Sequence, residues 1–320
     1  MMWLRVLILL VGICCFPIKS HAITCTATVA TVAFGTVTPS SNTDVTTTGT
    51  LTYSCTKGLL EVLNTATVCF NLYPVAGTTV DTRRMSSGAN TLSYQLYTDS
   101  GRSSVWGNQG LTSTSVLKAS IGLIDLGLPK NISFYAIVPK GQVTTAPGSY
   151  QDLYSTSNAT ITAKSDPLST DTTCGATVVG NFTFSVTSSV NKQCSINATN
   201  NVALGSVDHT RTNIMKDNFF TMTCTNTTPY TVGLSPSNNN TTGSGVMKSK
   251  SNSATNTDLV PYQLNSTAGV GGTPWGNLTA NTVAGVGTGL AVNRTVYVVA
   301  PSANYRPDDY ADTVTINVTY

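Results

Sequence analysis

The sequence predicts an all-β exported chain that folds as two sandwich domains in tandem. Three observations lead there: an export leader at the N-terminus, a composition of strand and turn residues with few charges, and an ordered set of short motifs that occurs twice.

The leader comes first. Arg5 supplies the positive residue, "VLILLVGICCF" the apolar stretch, and Ser20-His21-Ala22 the small-x-small cleavage pattern, which places the cut after Ala22. A membrane helix is the alternative, but the apolar run is short of the roughly 20 residues a bilayer requires. A lipid-anchored reading of Cys14 or Cys15 is weakened by Ile13, which stands where a small residue is needed. The domains then read as residues 1–22 leader, 23–170 first domain, 171–193 connecting segment and 194–320 second domain.

Past the leader the chain is close to neutral. The full sequence holds 17 Lys and Arg against 14 Asp and Glu, and the leader removes Arg5 and Lys19. That balance argues against nucleic acid as a partner, since phosphate binding needs a basic face. Thr and Val favour strands while Asn and Gly favour turns. Charged residues make up 10%, low enough to raise disorder as an alternative. Alternating runs such as "TVTINVTY" (313–320) and "FYAIVP" (134–139) oppose it.

The repeat defines the domains. Cys25 to Cys55 and Cys194 to Cys224 span the same interval, 30 positions. After each first cysteine comes a short strand with a small turn, "VAFGTV" (32–37) or "VALGSV" (202–207), and after each second cysteine a Thr. Then "YQLYT" (94–98) answers "YQLNS" (262–266), "VWGN" (105–108) answers "PWGN" (274–277), "YAIVP" (135–139) answers "YVVAP" (297–301), and "GSYQD" (148–152) answers "DDYAD" (308–312). An order kept over so many motifs means two related units. Six cysteines follow the leader, and an even number in an exported chain reads as disulfides. The repeat pairs Cys25 with Cys55 and Cys194 with Cys224, which leaves Cys69 for Cys174. A metal site is the alternative, but CxxC spacing and a supply of histidines are missing, so no metal and no cofactor are expected.

These motifs together, with the closing "TVTINVTY", resemble the spore coat protein U domain, which builds archaic, Csu-type chaperone–usher pili. Two such domains in tandem are similar to the two-domain tip adhesin of those pili. The resemblance implies immunoglobulin-like sandwiches that lack a final strand, the second being completed by donor-strand complementation from a neighbouring subunit. It implies a periplasmic chaperone, an outer-membrane usher, the next pilus subunit and an abiotic or host surface as partners. Its location would be the cell surface at a pilus tip, reached through the periplasm, in attachment and biofilm formation. The first domain departs from the pattern after Tyr150: "QDLYSTSNATITAKSD" is less regular than "ADTVTINVTY", so a bulge or altered register is expected in its last strand.

"NFTFSVTSSV" (181–190) alternates apolar and polar residues as a donor strand does, just ahead of Cys194. It is read as closing the first domain in cis through Phe182, Phe184, Val186 and Val190; the alternative is an ordinary first strand of the second domain. Only Ile23 and Thr24 stand between the leader and Cys25, too few to donate, and no further strand follows Tyr320. The expectation is a subunit that accepts and does not donate, which belongs at a fibre tip.

Two insertions mark the candidate binding surface. The first domain exceeds the second by seven residues around "KGLLEVLN" (57–64) and by seven around "SVLKASIGLIDLGLP" (115–129). Leu59, Leu60, Val62 and Leu63 in one, with Leu123, Ile124, Leu126 and Leu128 in the other, are either core strands or apolar loops that adhere by desolvation. Trp106 and Trp275 recur and read as packing residues, and Arg83-Arg84 as a solvated strand end. Catalysis is not expected. His209 is the single histidine past the leader, Asp308 and Asp309 are adjacent rather than opposed, and GxSxG, HExxH and Gly-rich phosphate loops are missing. The competing functions are a glycan- or receptor-specific lectin at the same tip, and a structural coat or pilus protein with no adhesive role.

Overall fold

The fold comes from a computed structural model that describes residues 23–58, 64–75, 78–123, 125, 127–167 and 172–320. The first domain is built from β1 (Thr24–Val29), β2 (Val32–Val37), β3 (Val45–Thr56), β4 (Asn64–Leu72), β5 (Arg84–Ser87), β6 (Asn90–Ser93), β7 (Gln95–Tyr97), β8 (Leu117–Ile121), β9 (Lys130–Val138), β10 (Gly148–Tyr154), β11 (Ala159–Pro167), β12 (Thr177–Asn181) and β13 (Phe184–Val190). The second holds β14 (Cys194–Asn197), β15 (Thr212–Cys224), β16 (Pro229–Pro236), β17 (Ser244–Ser249), β18 (Leu259–Asn265), β19 (Val283–Val286), β20 (Ala291–Ser302), β21 (Tyr310–Ala311) and β22 (Val314–Thr319). This is the expected all-β architecture.

In the first domain the strand orders are β1-β3-β9-β7, β2-β13-β10-β5-β6 and β12-β11-β4-β8. The strands form where apolar side chains fall on alternate positions, so one face of the pleat turns to a shared core. In β3, Leu51, Tyr53 and Cys55 are buried between half-exposed neighbours. The core they enter is aromatic at its centre, with Phe70, Trp106, Phe134, Tyr154, Phe182 and Phe184 in one cluster. The second domain arranges β14-β15-β20-β18-β17-β21 against β19-β16-β22. Its core is gathered around Phe220, Met222, Tyr230, Val232 and Trp275.

The chain forms three disulfides, Cys25–Cys55, Cys69–Cys174 and Cys194–Cys224. Cys25 lies opposite Cys55 in the β1–β3 ladder, and Cys194 opposite Cys224 in β14–β15, so the equal intervals reflect the same hairpin-like pairing. The third bond fastens β4 to the chain just ahead of β12. Trp106 and Trp275 are fully buried, and each indole Nε1 donates to a backbone carbonyl, Phe70 at 2.8 Å and Val232 at 2.9 Å. A buried indole N–H needs such a partner, and the repeated WGN motif supplies it in both domains. A second repeated anchor is tyrosine: Tyr150 donates to the Ala146 carbonyl and Tyr310 to that of Arg306, each four residues upstream.

Two sequence expectations need revision. Arg83 is not a solvated strand end. It is buried, its Nη1 donating to Gln95 Oε1 and its Nη2 to the Trp106 carbonyl, both at 2.5 Å, while Arg84 beside it is exposed. Those charge-assisted bonds offset the cost of taking a guanidinium out of water. The segment 171–193 is also more than a connection with one strand. It contains β12, antiparallel to β11, and the irregularity foreseen after Tyr150 falls in that pairing, between Ile161 and Thr162. The β11–β4 ladder runs on unbroken from Ala159 opposite Leu72 to Pro167 opposite Asn64.

Candidate functional site

β13 lies inside the first domain's sheet, antiparallel to β10 over its whole length, from Gly148 opposite Val190 to Tyr154 opposite Phe184. On its other side it runs parallel to β2, with Val186 opposite Val32 and Val190 opposite Val37. Phe182, Phe184, Val186 and Val190 all point inward and are buried. Phe184 stacks on Tyr154 with ring centroids 4.5 Å apart, and lies 6.3 Å from Trp106 and 6.4 Å from Phe134. Phe182 meets Phe70 and Trp106, each at 6.3 Å. The polar side is knit as well: Thr36 and Ser189 hydroxyls are 3.1 Å apart, and Ser188 donates to the Gly35 carbonyl. Gly35 has φ +71, and the β13–β2 register shifts between Thr187 and Ser189 beside it. A residue in that left-handed conformation is most easily glycine. Gly205, its counterpart, has φ +81.

In the second domain the same positions stand open. Val202–Val207, the counterpart of β2, forms no strand; among the described residues none lies between Asn197 and Thr212. Phe34 and Val37 are 7% and 5% exposed, whereas Leu204 is half-buried and Val207 is 44% exposed. Among the described residues, β21 pairs only with β17, and β22 only with β16. In the first domain β10 and β11 each carry a further strand, β13 and β12. Val314, Ile316 and Val318 of β22 pack on the core but are only half-buried, while Ala159 and Ile161 of β11 are fully covered. The second domain thus presents an apolar trough flanked by unpaired strand edges, and unpaired edges seek a pairing strand. The connection between the domains is short. Residues 191–193 link β13 to β14, and Thr225 holds them, its N–H donating to the Gln193 carbonyl and its hydroxyl to that of Asn191.

A tyrosine–carboxylate pair sits at the same place beside each groove. Tyr94 donates to Asp152 at 2.5 Å, and Tyr262 to Asp312 at 2.5 Å. Burial pushes the Asp152 carboxyl up from the ordinary range, while the Tyr94 hydrogen bond pulls the other way. Burial first, then the Tyr154 hydroxyl and the Asp152 carboxylate, pushes the Tyr94 phenol well above its usual range, and burial followed by Asp312 does the same for Tyr262. The pair joins the YQL strand to the Tyr-x-Asp strand; its signal lay in the two motifs that recur together, and sequence reasoning missed the contact.

Of the candidate loop residues, Leu123 and Leu128 are exposed, at 39% and 63%. Lys130 pairs with Asp125 between them, and Ser54 donates to the Gly127 carbonyl at 2.5 Å, so this loop is anchored against β3. Leu59, Leu60, Val62, Leu63, Ile124 and Leu126 lie outside the described residues. Among the described residues, no group of three or more His, Cys, Asp or Glu side chains is placed to hold a metal ion.

Fold and groove together define a tandem β-sandwich protein with one closed and one open unit. The chain belongs to the Spore Coat Protein U domain family, whose sequence profile matches residues 18–156 and 180–317. The second match begins at residue 180, so β13 falls in the second repeat by sequence while it folds into the first domain's sheet. "Protein U" of Myxococcus xanthus is 39% identical over 111 residues, a stretch that makes up 33% of this chain and 55% of that protein. Among solved structures, the chain is similar to the CsuC–CsuE chaperone–tip adhesion subunit pre-assembly complex of archaic chaperone-usher Csu pili from Acinetobacter baumannii. That match has 18% identity and a TM-score of 0.48, covering 93% of this chain and 100% of the matched one. It is also similar to the CupB6 tip adhesin from Pseudomonas aeruginosa, with 12% identity and a TM-score of 0.36, covering 93% of each chain.

Proposed function

We propose that this chain is the adhesive tip subunit of an archaic chaperone–usher pilus. Its first domain is closed in cis by β13, and its second accepts a donor strand from the next subunit. The observation that carries the reading is the contrast between the two grooves: the same trough is filled by Phe182–Val190 in one domain and unpaired along Val202–Val207 in the other. Family membership supports it. On this reading a periplasmic chaperone covers the open trough before assembly, an outer-membrane usher hands the subunit on, and the chain ends at the cell surface on a fibre. Attachment then falls to the first domain's apolar loops, where Leu123 and Leu128 offer area for desolvation at about 25 cal/mol per Å².

The test is to express the chain with its assembly system and locate it by immunogold labelling. Label confined to fibre ends supports the reading; label along shafts, or on cell surfaces without fibres, overturns it and favours a coat role. Introducing Leu123→Asp with Leu128→Asp should abolish attachment while labelled tips persist. Attachment that a soluble sugar blocks, with both leucines replaced, would point to a lectin instead.

A further inference from the structure

We infer that the strand accepted by the second domain is aliphatic, carrying Val, Ile or Leu at its inward positions, and that the groove discriminates against an aromatic strand such as β13 from a second copy of this chain. The inference rests on the strand-accepting reading of the second domain. It comes from comparing two grooves in one molecule, one of which holds its occupant.

The occupant of the first domain is aromatic because its walls are. Phe182 and Phe184 meet Phe70, Trp106, Phe134 and Tyr154. The repeat and the indole bonds give the counterparts directly. Trp106 bonds the Phe70 carbonyl and Trp275 that of Val232, so Val232 stands for Phe70. "FYAIVP" aligns with "VYVVAP", so Val296 stands for Phe134. Tyr154 has no aromatic counterpart, because the chain leaves β21 at Ala311 and starts β22 at Val314. Leu204 stands for Phe34. At the counterpart positions the second domain has one ring, Trp275, itself only 1% exposed, where β13 finds four.

That remaining ring is already engaged. Phe220, fully within the second core, lies 6.0 Å from Trp275. Its counterpart in the first domain is Leu51, since the registers Leu51–Ile132 and Phe220–Arg294 coincide in the repeat. The second domain gives its tryptophan an aromatic neighbour from β15, whereas the first gives Trp106 Phe134 from β9 at 4.9 Å and adds Phe182 and Phe184 from the inserted strand. The half-buried residues left along the trough, Leu204, Val296, Val314, Ile316 and Val318, are all aliphatic, while Val232 and Trp275 are fully covered, and this surface fits branched aliphatic side chains. Offset ring pairs add to area burial only where both partners are rings, so Phe at these positions forfeits that gain.

The experiment appends a donor to the full chain after Tyr320 through a flexible linker, in two versions. One copies residues 181–190 unchanged; the other carries Phe182→Val and Phe184→Ile. Amide hydrogen exchange is followed by mass spectrometry at residues 202–207 and across β22, against the chain with no addition. The aliphatic version should slow exchange there at least tenfold more than the aromatic one. Equal protection by both, or greater protection by the aromatic version, overturns the aliphatic preference and leaves strand acceptance standing. Protection by neither removes strand acceptance and the preference with it.

Discussion

Replacing Phe184 by alanine asks which domain owns β13. The side chain is buried, stacks on Tyr154 at 4.5 Å, and touches Trp106 and Phe134. A buried Phe→Ala change costs about 3–5 kcal/mol, covering lost transfer energy and the cavity left behind. A value near ~4 kcal/mol fits a site whose walls are aromatic rings held by neighbouring strands, because such walls collapse poorly. With a urea slope of about 2 kcal/mol per M, the first domain's midpoint should fall by about 2 M. The ring contacts of Phe184 among the described residues all lie on the first domain's side, so the second domain's transition should stay within about 0.5 kcal/mol. Urea unfolding of the full chain, read by hydrogen exchange in β10 for one domain and β15 for the other, separates the two. A first-domain shift under about 1 kcal/mol, or a larger shift in the second, would show that β13 does not hold the first sandwich closed.

Two further predictions concern the cross-links and pH. Removing the Cys69–Cys174 bond with paired serine substitutions opens a loop of 105 positions and should cost the first domain about 4–5 kcal/mol. Removing Cys194–Cys224, at 30 positions, should cost the second about 3–4; calorimetry giving the reverse order would refute the loop argument. For pH, the hydrogen bonds from Ser249 and Asn256 hold Asp308 at about 2, below its unfolded 3.8. Its contribution is therefore whole above 3.8 and is lost as pH falls through about 2. Asp152 has the opposite sign: burial raises it above 3.8, so the folded first domain keeps this proton longer, and its share of stability declines as pH rises through the raised value. Carboxyl chemical shifts recorded from pH 2 to 7 should show Asp308 titrating well before Asp152 as pH rises; coincident or inverted midpoints would contradict the burial argument.

Much of the fold was legible because its signals are local or repeated. Strand alternation shows in windows of a few residues, and the two WGN and YQL copies announced two related units before any contact was known. The groove was only partly legible. β13 showed its alternation, but β12 did not: "TVVGN" has no clean period and becomes a strand by pairing with β11. Arg83 was misread for a related reason. Its burial depends on Gln95 and the Trp106 carbonyl, partners brought near by the sheet and invisible to a reading of its neighbours. The Tyr94–Asp152 contact spans 58 positions and escaped likewise.

By itself the sequence determined the all-β class, the two-unit repeat and the equal cysteine intervals, since composition, period and spacing are properties of the chain alone. Only the tertiary structure decided which sheet took β13. A strand of period two presents the same apolar face to either domain, and the choice lies in the partner side chains that meet that face in the core. For Phe182 and Phe184 those partners are Phe70, Trp106, Phe134 and Tyr154, and the first domain alone assembles all four rings.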